Sequence, residues 1–515
     1  MTGLAAAAQP AQPPAGALEG RASGGRVKSA VRRTLGAVRR IPRAARICAL
    51  IAFVNAACWS VITPPFQAAD EPSHFAYVQQ LAQTGTLPTS SNYAFSEDEE
   101  TALRDLHQSQ VQWHPEVHTI GSEAEQQLLQ EDLSGSVSRT GTGDAGVATS
   151  QPPLYYALQT IPYGLGSVGT LLDQLALMRL LSALMAGLTA LFAYLFVREA
   201  LPGAPWAWVV GGASVALTPL LGFISGTVNP DAMLFAVSAA IFYLLARAFR
   251  RGLTVNLAIA IGVVTAIGLL TKLNFIGLVP GIILALIVLA RRVARTSRAS
   301  AWRALALAIG IPAVPVCLYI LINLFSNHRG LGVVSSAIDL RHGSVFHELS
   351  YIWQFFLPRL PGMHSDFPGV FPPIQIWFDR SVGLYGWLDT PFPGWVYNLA
   401  LIPAVVLTLL AIRALVTIRA TLRRRLVELA AYALMGAGVL FLVGADSYLA
   451  FPAQAGTYGE PRYLLPMLPL LAAALVLSAR GAGRRWGPVA GTLIVVMFLA
   501  YDGFSQLQVV ARFYG

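Results

Sequence analysis

Charge is what this sequence lacks most. Asp, Glu, Lys and Arg make up 12% of its 515 residues, against a hydrophobic share of 55%. Soluble domains carry about a quarter charged residues, so a water-soluble globular enzyme is excluded. Cysteine is almost as scarce, with three residues. Cys48 and Cys58 share one apolar window ten positions apart, about 15 Å along a helix, and Cys317 lies in another. Neither a disulfide framework nor a thiolate metal site fits that distribution.

What the chain has is long apolar runs. About 20 such residues cross a hydrocarbon core of roughly 30 Å, and eleven windows qualify, near 46–64, 176–198, 204–223, 228–249, 253–271, 273–290, 303–325, 394–412, 427–445, 463–479 and 487–505. The expected fold is an all-α polytopic integral membrane protein with about eleven transmembrane helices.

The net charge of +10 raises the question of nucleic acid, but the placement of the basic residues answers it. With a cytoplasmic N-terminus and alternating crossings, 26 of the 36 Lys and Arg residues fall on one side, in the tail and around Arg198, Arg250, Arg292, Arg424 and Arg484. That bias sets the orientation and accounts for the basic pI without a polyanionic partner. Residues 1–45 are rich in Ala, Pro, Gly and Arg without apolar periodicity, and read as a disordered cytoplasmic tail. The first span is expected to be a membrane anchor and not a signal peptide, because "SVITPPF" offers no small-residue cleavage site.

Two connections are long, 64–175 and 326–394, and both are expected outside, with 506–515 as an outer tail. Long loops in compact proteins commonly carry function. Before Ser150 the first holds thirteen of the 26 acidic residues, of which those from Glu97 to Asp132 read mainly as a solvated face. Within it, Phe75, Val78 and Leu81 followed by Gly85 predict a short amphipathic helix over 72–84 with a glycine cap, lying in the membrane interface. "QPPLYYALQTIPYGLG" at 151–166 predicts a second interfacial helix. The second loop mixes aromatic residues with Arg341, His342, His347, Glu348 and Arg359, and is expected to fold back on the outer surface.

The chemistry-bearing candidates sit at the outer ends of spans. Asp70 and Glu71 precede Pro72, a favoured first-turn residue. Two readings stand side by side. Asp70 is a helix cap with His74 solvated, or one carboxylate is a general base on an acceptor hydroxyl while the other, or His74, orients it or binds a metal. Arg179, Asn229, Asp231, Lys272, Glu460, Arg462 and Tyr463 lie at comparable depth. Ionisable groups there are costly and take a partner or a substrate. A ring of Arg179, Lys272 and Arg462 around Asp70 would hold an anionic headgroup beside a carboxylate; snorkelling of Arg179 and Lys272 and an Arg462–Glu460 ion pair are the structural alternatives.

The order of "ADEPSHF" after the first span, "QPPLYYAL" before the second, "MRLLSAL" opening it and "PRYLLPMLPLL" near the end resembles GT-C fold glycosyltransferases, among them protein O-mannosyltransferases and the aminoarabinose transferases of lipid A. The chain is most similar to a bacterial group of predicted membrane proteins of unknown function that share the "DEPxH" form, the "NPDA" turn and the "GWLDT" stretch. The likeness covers residues 46–505. It implies transfer of a sugar, with inversion, from a polyprenyl-phosphate carrier to a glycan, lipid or protein acceptor on the outer face of a bacterial plasma membrane. Asp70 carries over as the base and Glu71 as its helper, with His74, Arg179, Asp231, Lys272, Arg462 and Tyr463 around the substrate. Lys272 and Arg462 in particular would hold the carrier phosphate. A divalent metal ion, with Glu71 and His74 as ligands, is implied by some relatives. Proline and histidine after the acidic pair depart from the mannosyltransferase pattern and leave sugar and acceptor open. The rival readings are a transporter or flippase of lipid-linked saccharides, a polysaccharide polymerase or ligase centred on Arg341, His342, His347 and Arg359, and a non-catalytic scaffold.

Overall fold

The computed structural model describes residues 41–89, 94–117, 122–134, 145–325, 345–367, 372–454 and 459–515, without the side chains of 449–454. Most of the expected tail (1–40), and Arg341 and His342 of the second loop, lie outside the described residues. Among the described residues the fold is helical apart from one short antiparallel hairpin, Leu384–Tyr385 with Thr390–Pro391, in which Leu384 faces Pro391 and Tyr385 faces Thr390.

Each of the eleven apolar windows is helical. Among the described residues nine helices are long and apolar enough to cross a membrane, from Arg43–Ile62 to Gly487–Tyr514. A tenth span is broken: Pro205–Ala216 and Pro219–Ser225 meet at 52°. Pro219 has no amide proton and disfavours helical geometry at Thr218, which is extended at ψ 114°. The remaining window forms the 17-residue Val255–Thr271 helix, which stops where Lys272 turns extended.

Long helices begin and end on local signals. Thr170 and Asp173 form a capping box for the 30-residue Leu171–Ala200 helix, about 45 Å long at 1.5 Å per residue. The Asp231–Arg251 and Arg43–Ile62 helices pack against it and form the centre of the bundle. Close approach is achieved with small residues, as membrane helices require: Gly438 in the Leu426–Gln454 helix lies so near Gly277 that a Cβ there would strike its carbonyl oxygen. Charges gather at the two ends of the central helices. At one end Glu199 accepts from Arg250 and Arg251 at 3.4 and 2.5 Å, Arg425 pairs with Glu428 at 2.7 Å, and Arg480 donates to the Leu201 carbonyl. Asp231 begins its helix at the opposite end.

The structure adds detail to three expectations about the loops. The Glu71–Thr84 helix forms, Gly85 caps it in the left-handed region (φ 68°), and every residue from Glu71 to Gln79 is buried by protein, with the Leu154–Leu165 helix and the Gly146–Ser150 turn packed against it. The acidic stretch from Glu97 to Asp132 is mainly solvated, as expected, with Asp98 and Glu99 as its buried members. Asp98 accepts from Gln79 and Ser96, and Glu99 is buried. Residues 506–515 continue the last helix to Tyr514 and are not a free tail. Buried Arg512 there donates to the carbonyls of Val111, His114 and Val117 and lies 3.8 Å from Asp389, so the end of the chain ties both long loops together.

Candidate functional site at one end of the bundle

The turn from Thr63 to Asp70 decides where the two adjacent carboxylates go. Phe66 and Asp70 both adopt positive φ, 61° and 67°, a conformation that costs an L-residue about 1–2 kcal/mol and that aspartate tolerates better than most. Asp70 occupies the cap position, but its side chain makes no capping bond, contrary to the simple cap reading. Its carboxylate is directed to Arg462, 2.9 Å away.

Glu71 points elsewhere. Arg179 Nε and Nη2 reach its two oxygens at 2.8 and 2.5 Å, and the amides of Phe66 and Val228 donate to it at 3.1 and 3.0 Å. The other Arg179 bonds go to the carbonyls of Ser60, Thr63 and Pro64. A guanidinium has five N–H donors, and all are used. A buried ion pair is tolerated only when its remaining bonds are met, and here they are. Glu71 and Arg179 therefore clamp the end of the first span to the turn, the Leu171–Ala200 helix and the segment before Asp231. Glu71, expected as helper and metal ligand, and Arg179, expected in the cation ring, thus direct these polar atoms to each other and to the backbone.

His74 is buried, 4% exposed, and not solvated. Its Nδ1 is bonded to the Tyr156 hydroxyl at 2.9 Å, and Tyr156 stacks on Tyr77 at 3.7 Å. Burial lowers the His74 pKa to about 3, against the opposing pull of Asp70, so the ring is neutral at physiological pH. The fit to a divalent metal is poor on the carboxylate side, since Glu71 already accepts four bonds. Among the described residues no three His, Cys, Asp or Glu side chains converge as a metal-binding group.

The remaining expected residues do come together. Lys272, extended between the Val255–Thr271 helix and the following turn, places Nζ 2.8 Å from Asp231 Oδ1. Arg462 Nε lies 3.9 Å from Asp231 Oδ2 and 2.5 Å from Glu460 Oε2. The Tyr463 ring faces both cations, at 5.5 and 5.3 Å. The result is a connected series, Asp70–Arg462–Asp231–Lys272, with Glu460 beside it. Asp231 is placed by the "NPDA" turn, where Asn229 accepts from its amide at 2.9 Å. Crowding by protein would raise the Asp70 pKa, but the Arg462 guanidinium, helped by Lys272, holds it below the ordinary value. Glu460, just outside its span, is pushed up by burial in spite of Arg462.

A cavity of about 20 Å³ adjoins this series, room for about one water. Its charged lining is Arg380, Glu460 and Arg462, and Ala69 brings it next to Asp70. The hairpin forms one wall through Leu384, Gly386 and Leu388, and is held over the turn by Trp387 Nε1, which donates to the Phe66 carbonyl at 3.1 Å. Leu388 has φ 63°. Trp59 packs behind the lining, with the rings of Phe223 and of the hairpin's Tyr385 at 5.7 and 5.1 Å; such pairs contribute about 0.5–1.5 kcal/mol each beyond burial. The sequence did not single out Arg380 or Tyr156, since each lies in an aromatic stretch whose function depends on distant partners.

Fold and site define a multi-pass, all-helical membrane protein with a buried cluster of paired charges at one end of its bundle. The chain belongs to the DUF2142 family of predicted membrane proteins, which matches residues 53–471. Among solved structures it is similar to the crystal structure of the Archaeoglobus fulgidus oligosaccharyltransferase in its apo form, with 12% identity and a TM-score of 0.42 over 90% of this chain and 56% of that one. The chain thus spans a little over half the length of that protein. No curated protein matches it in sequence.

Proposed function

We propose that the protein is an inverting membrane glycosyltransferase that moves a sugar from a polyprenyl-phosphate carrier to a hydroxyl of a cell-envelope glycan, lipid or protein. The observation that carries this reading is the 2.9 Å pairing of Asp70 with Arg462, which leaves the Asp70 side chain 31% exposed beside two cations linked through Asp231. An ionised carboxylate with access to solvent is suited to take a proton, and guanidinium and ammonium groups are suited to stabilise charge growing on a phosphate.

The reaction balances without another reagent. The acceptor O–H bond breaks and its proton passes to Asp70; the acceptor oxygen bonds the anomeric carbon from the face opposite the phosphate. The C–O bond to phosphate breaks, and its electron pair leaves with the phosphate. As Asp70 is neutralised, Arg462 is released to pair with the phosphate, and Lys272 shifts toward it from Asp231. Glu71 and Arg179 act at a distance from this chemistry by fixing the turn. The segregation of arginines to the end of the bundle opposite the site supports placing the site on the outer face of a bacterial plasma membrane with the N-terminus in the cytoplasm.

The test is sugar release from labelled polyprenyl-phosphate donors by the purified full-length protein and its Asp70→Asn variant. Loss of turnover in a variant that stays folded is expected. Undiminished turnover in Asp70→Asn would remove Asp70 as the base.

A further inference from the structure

The cavity beside Asp70 has a lining chemistry that the general reading does not use. Its lining combines two guanidinium-bearing residues, Arg380 and Arg462, and the carboxyl of Glu460 with the apolar side chains of Leu220, Phe223, Ile224, Leu384 and Leu388. Arg380 comes from the second long loop and is fixed by its Nη1, which donates to the Gly459 carbonyl at 2.8 Å. That bond holds it against the backbone leading into Glu460 and Arg462. Two guanidiniums facing one cavity suit a phosphate, which takes planar, forked donors better than point charges. Apolar side chains in the same lining suit a phosphate that continues into hydrocarbon.

We propose that Arg380 is a second phosphate-binding residue, and that this cavity seats the headgroup of a phosphomonoester lipid between Arg380 and Arg462, with the lipid's first carbon units against Leu384 and Leu388. The identification of that lipid as the sugar carrier rests on the transferase reading above; the headgroup site does not. The cavity has room for about one water, so entry of a phosphate requires its wall to move. If the hairpin is the wall that moves, the Trp387 Nε1 bond to the Phe66 carbonyl must open. Two residue pairs hold it together, and its tip residues Gly386 and Leu388 both have positive φ. Glu460 lines the cavity with the two guanidiniums, and its burial favours the protonated form. It can therefore give up its charge when an anion arrives and donate a hydrogen bond to it.

The experiment measures binding and not turnover. Full-length protein in detergent is titrated with polyprenyl monophosphate, with phosphatidylglycerol and with inorganic phosphate, for wild type, Arg380→Ala, Arg380→Lys and Leu388→Ala, with melting temperature confirming that each variant is folded. Arg380→Ala is expected to weaken polyprenyl monophosphate binding by about ten-fold or more, the loss of one charge-assisted bond, and Arg380→Lys to recover part of it. Leu388→Ala is expected to weaken the lipid while leaving competition by inorganic phosphate unchanged. Preference for polyprenyl monophosphate over phosphatidylglycerol, a phosphodiester, supports the phosphomonoester site, and equal Arg380-dependent binding of both overturns it. Lipid binding unchanged in a folded Arg380→Ala variant overturns the proposal, and so does inorganic phosphate competing as well as the lipid. Either result leaves the Asp70 test standing, and Arg380-dependent binding survives even if Asp70→Asn keeps its turnover.

Discussion

Arg462 Nη2 lies 2.9 Å from Asp70 Oδ2, joining the first long loop to the start of a late span across 392 positions of sequence. The same guanidinium reaches Glu460 at 2.5 Å and Asp231 at 3.9 Å, a set of directions that a fork can serve and an ammonium cannot. Arg462→Lys keeps the charge and loses the fork. The expected result is a roughly ten- to hundred-fold fall in donor turnover, the equivalent of about 1.5–3 kcal/mol for a bond to a charged group, with a small change in melting temperature.

Glu71 is expected to fail differently. Removing one member of a buried, fully bonded pair leaves the other uncompensated, at about 3–5 kcal/mol. Glu71→Gln should therefore lower the melting temperature and the yield of folded protein whether or not a donor is present, as read by thermal unfolding in detergent. Normal stability with abolished turnover would instead return Glu71 to the chemistry.

Glu99 offers a stability gain. Neither of its oxygens has a hydrogen-bond partner among the described residues, and burial, with Asp98 and Glu100 nearby, raises its pKa well above the ordinary 4.5. A group raised in the folded state favours folding below its unfolded value and loses that contribution as pH rises through the folded one. Glu99→Gln removes the titration. Its melting temperature should exceed that of wild type at pH 8, and the difference should shrink as pH falls toward 4.5, following a limiting slope of about 1.4 kcal/mol per pH unit.

His74 works in the opposite direction. Its pKa falls from 6.5 to about 3 in the folded protein, so its contribution is present above pH 6.5 and is lost as pH falls toward 3, when the unfolded chain takes up a proton that the buried ring refuses. Between pH 6.5 and 5 the loss is about 2 kcal/mol. His74→Gln, which retains a side chain able to bond Tyr156, should flatten the acid side of the melting profile. An unchanged profile would show that the ring is not held neutral.

Much of the architecture was legible because a membrane imposes it residue by residue. Each crossing helix needs its own apolar stretch, so windows read from composition became helices, Gly85 capped where its position required, and the break at Pro219 followed from a missing amide. The loops were less legible. The Glu71–Thr84 helix has the pattern of an interfacial helix, and nothing within it shows that the Leu154–Leu165 helix and the Gly146–Ser150 turn pack against it. Glu99 looks like its exposed neighbours for the same reason.

The site divides along the same line. Sequence alone determined which ionisable residues stand at the ends of apolar stretches, because the cost of burying charge in a membrane makes each one conspicuous: Asp70, Glu71, Arg179, Asp231, Lys272 and Arg462 were all visible. Only tertiary structure decided who pairs with whom. Asp70 and Glu71 are adjacent and chemically alike, yet a left-handed backbone at Asp70 sends one carboxylate to Arg462 and the other to Arg179. Those partners lie 392 and 108 positions away, and pairing energies depend on distances in space that no spacing along the chain encodes.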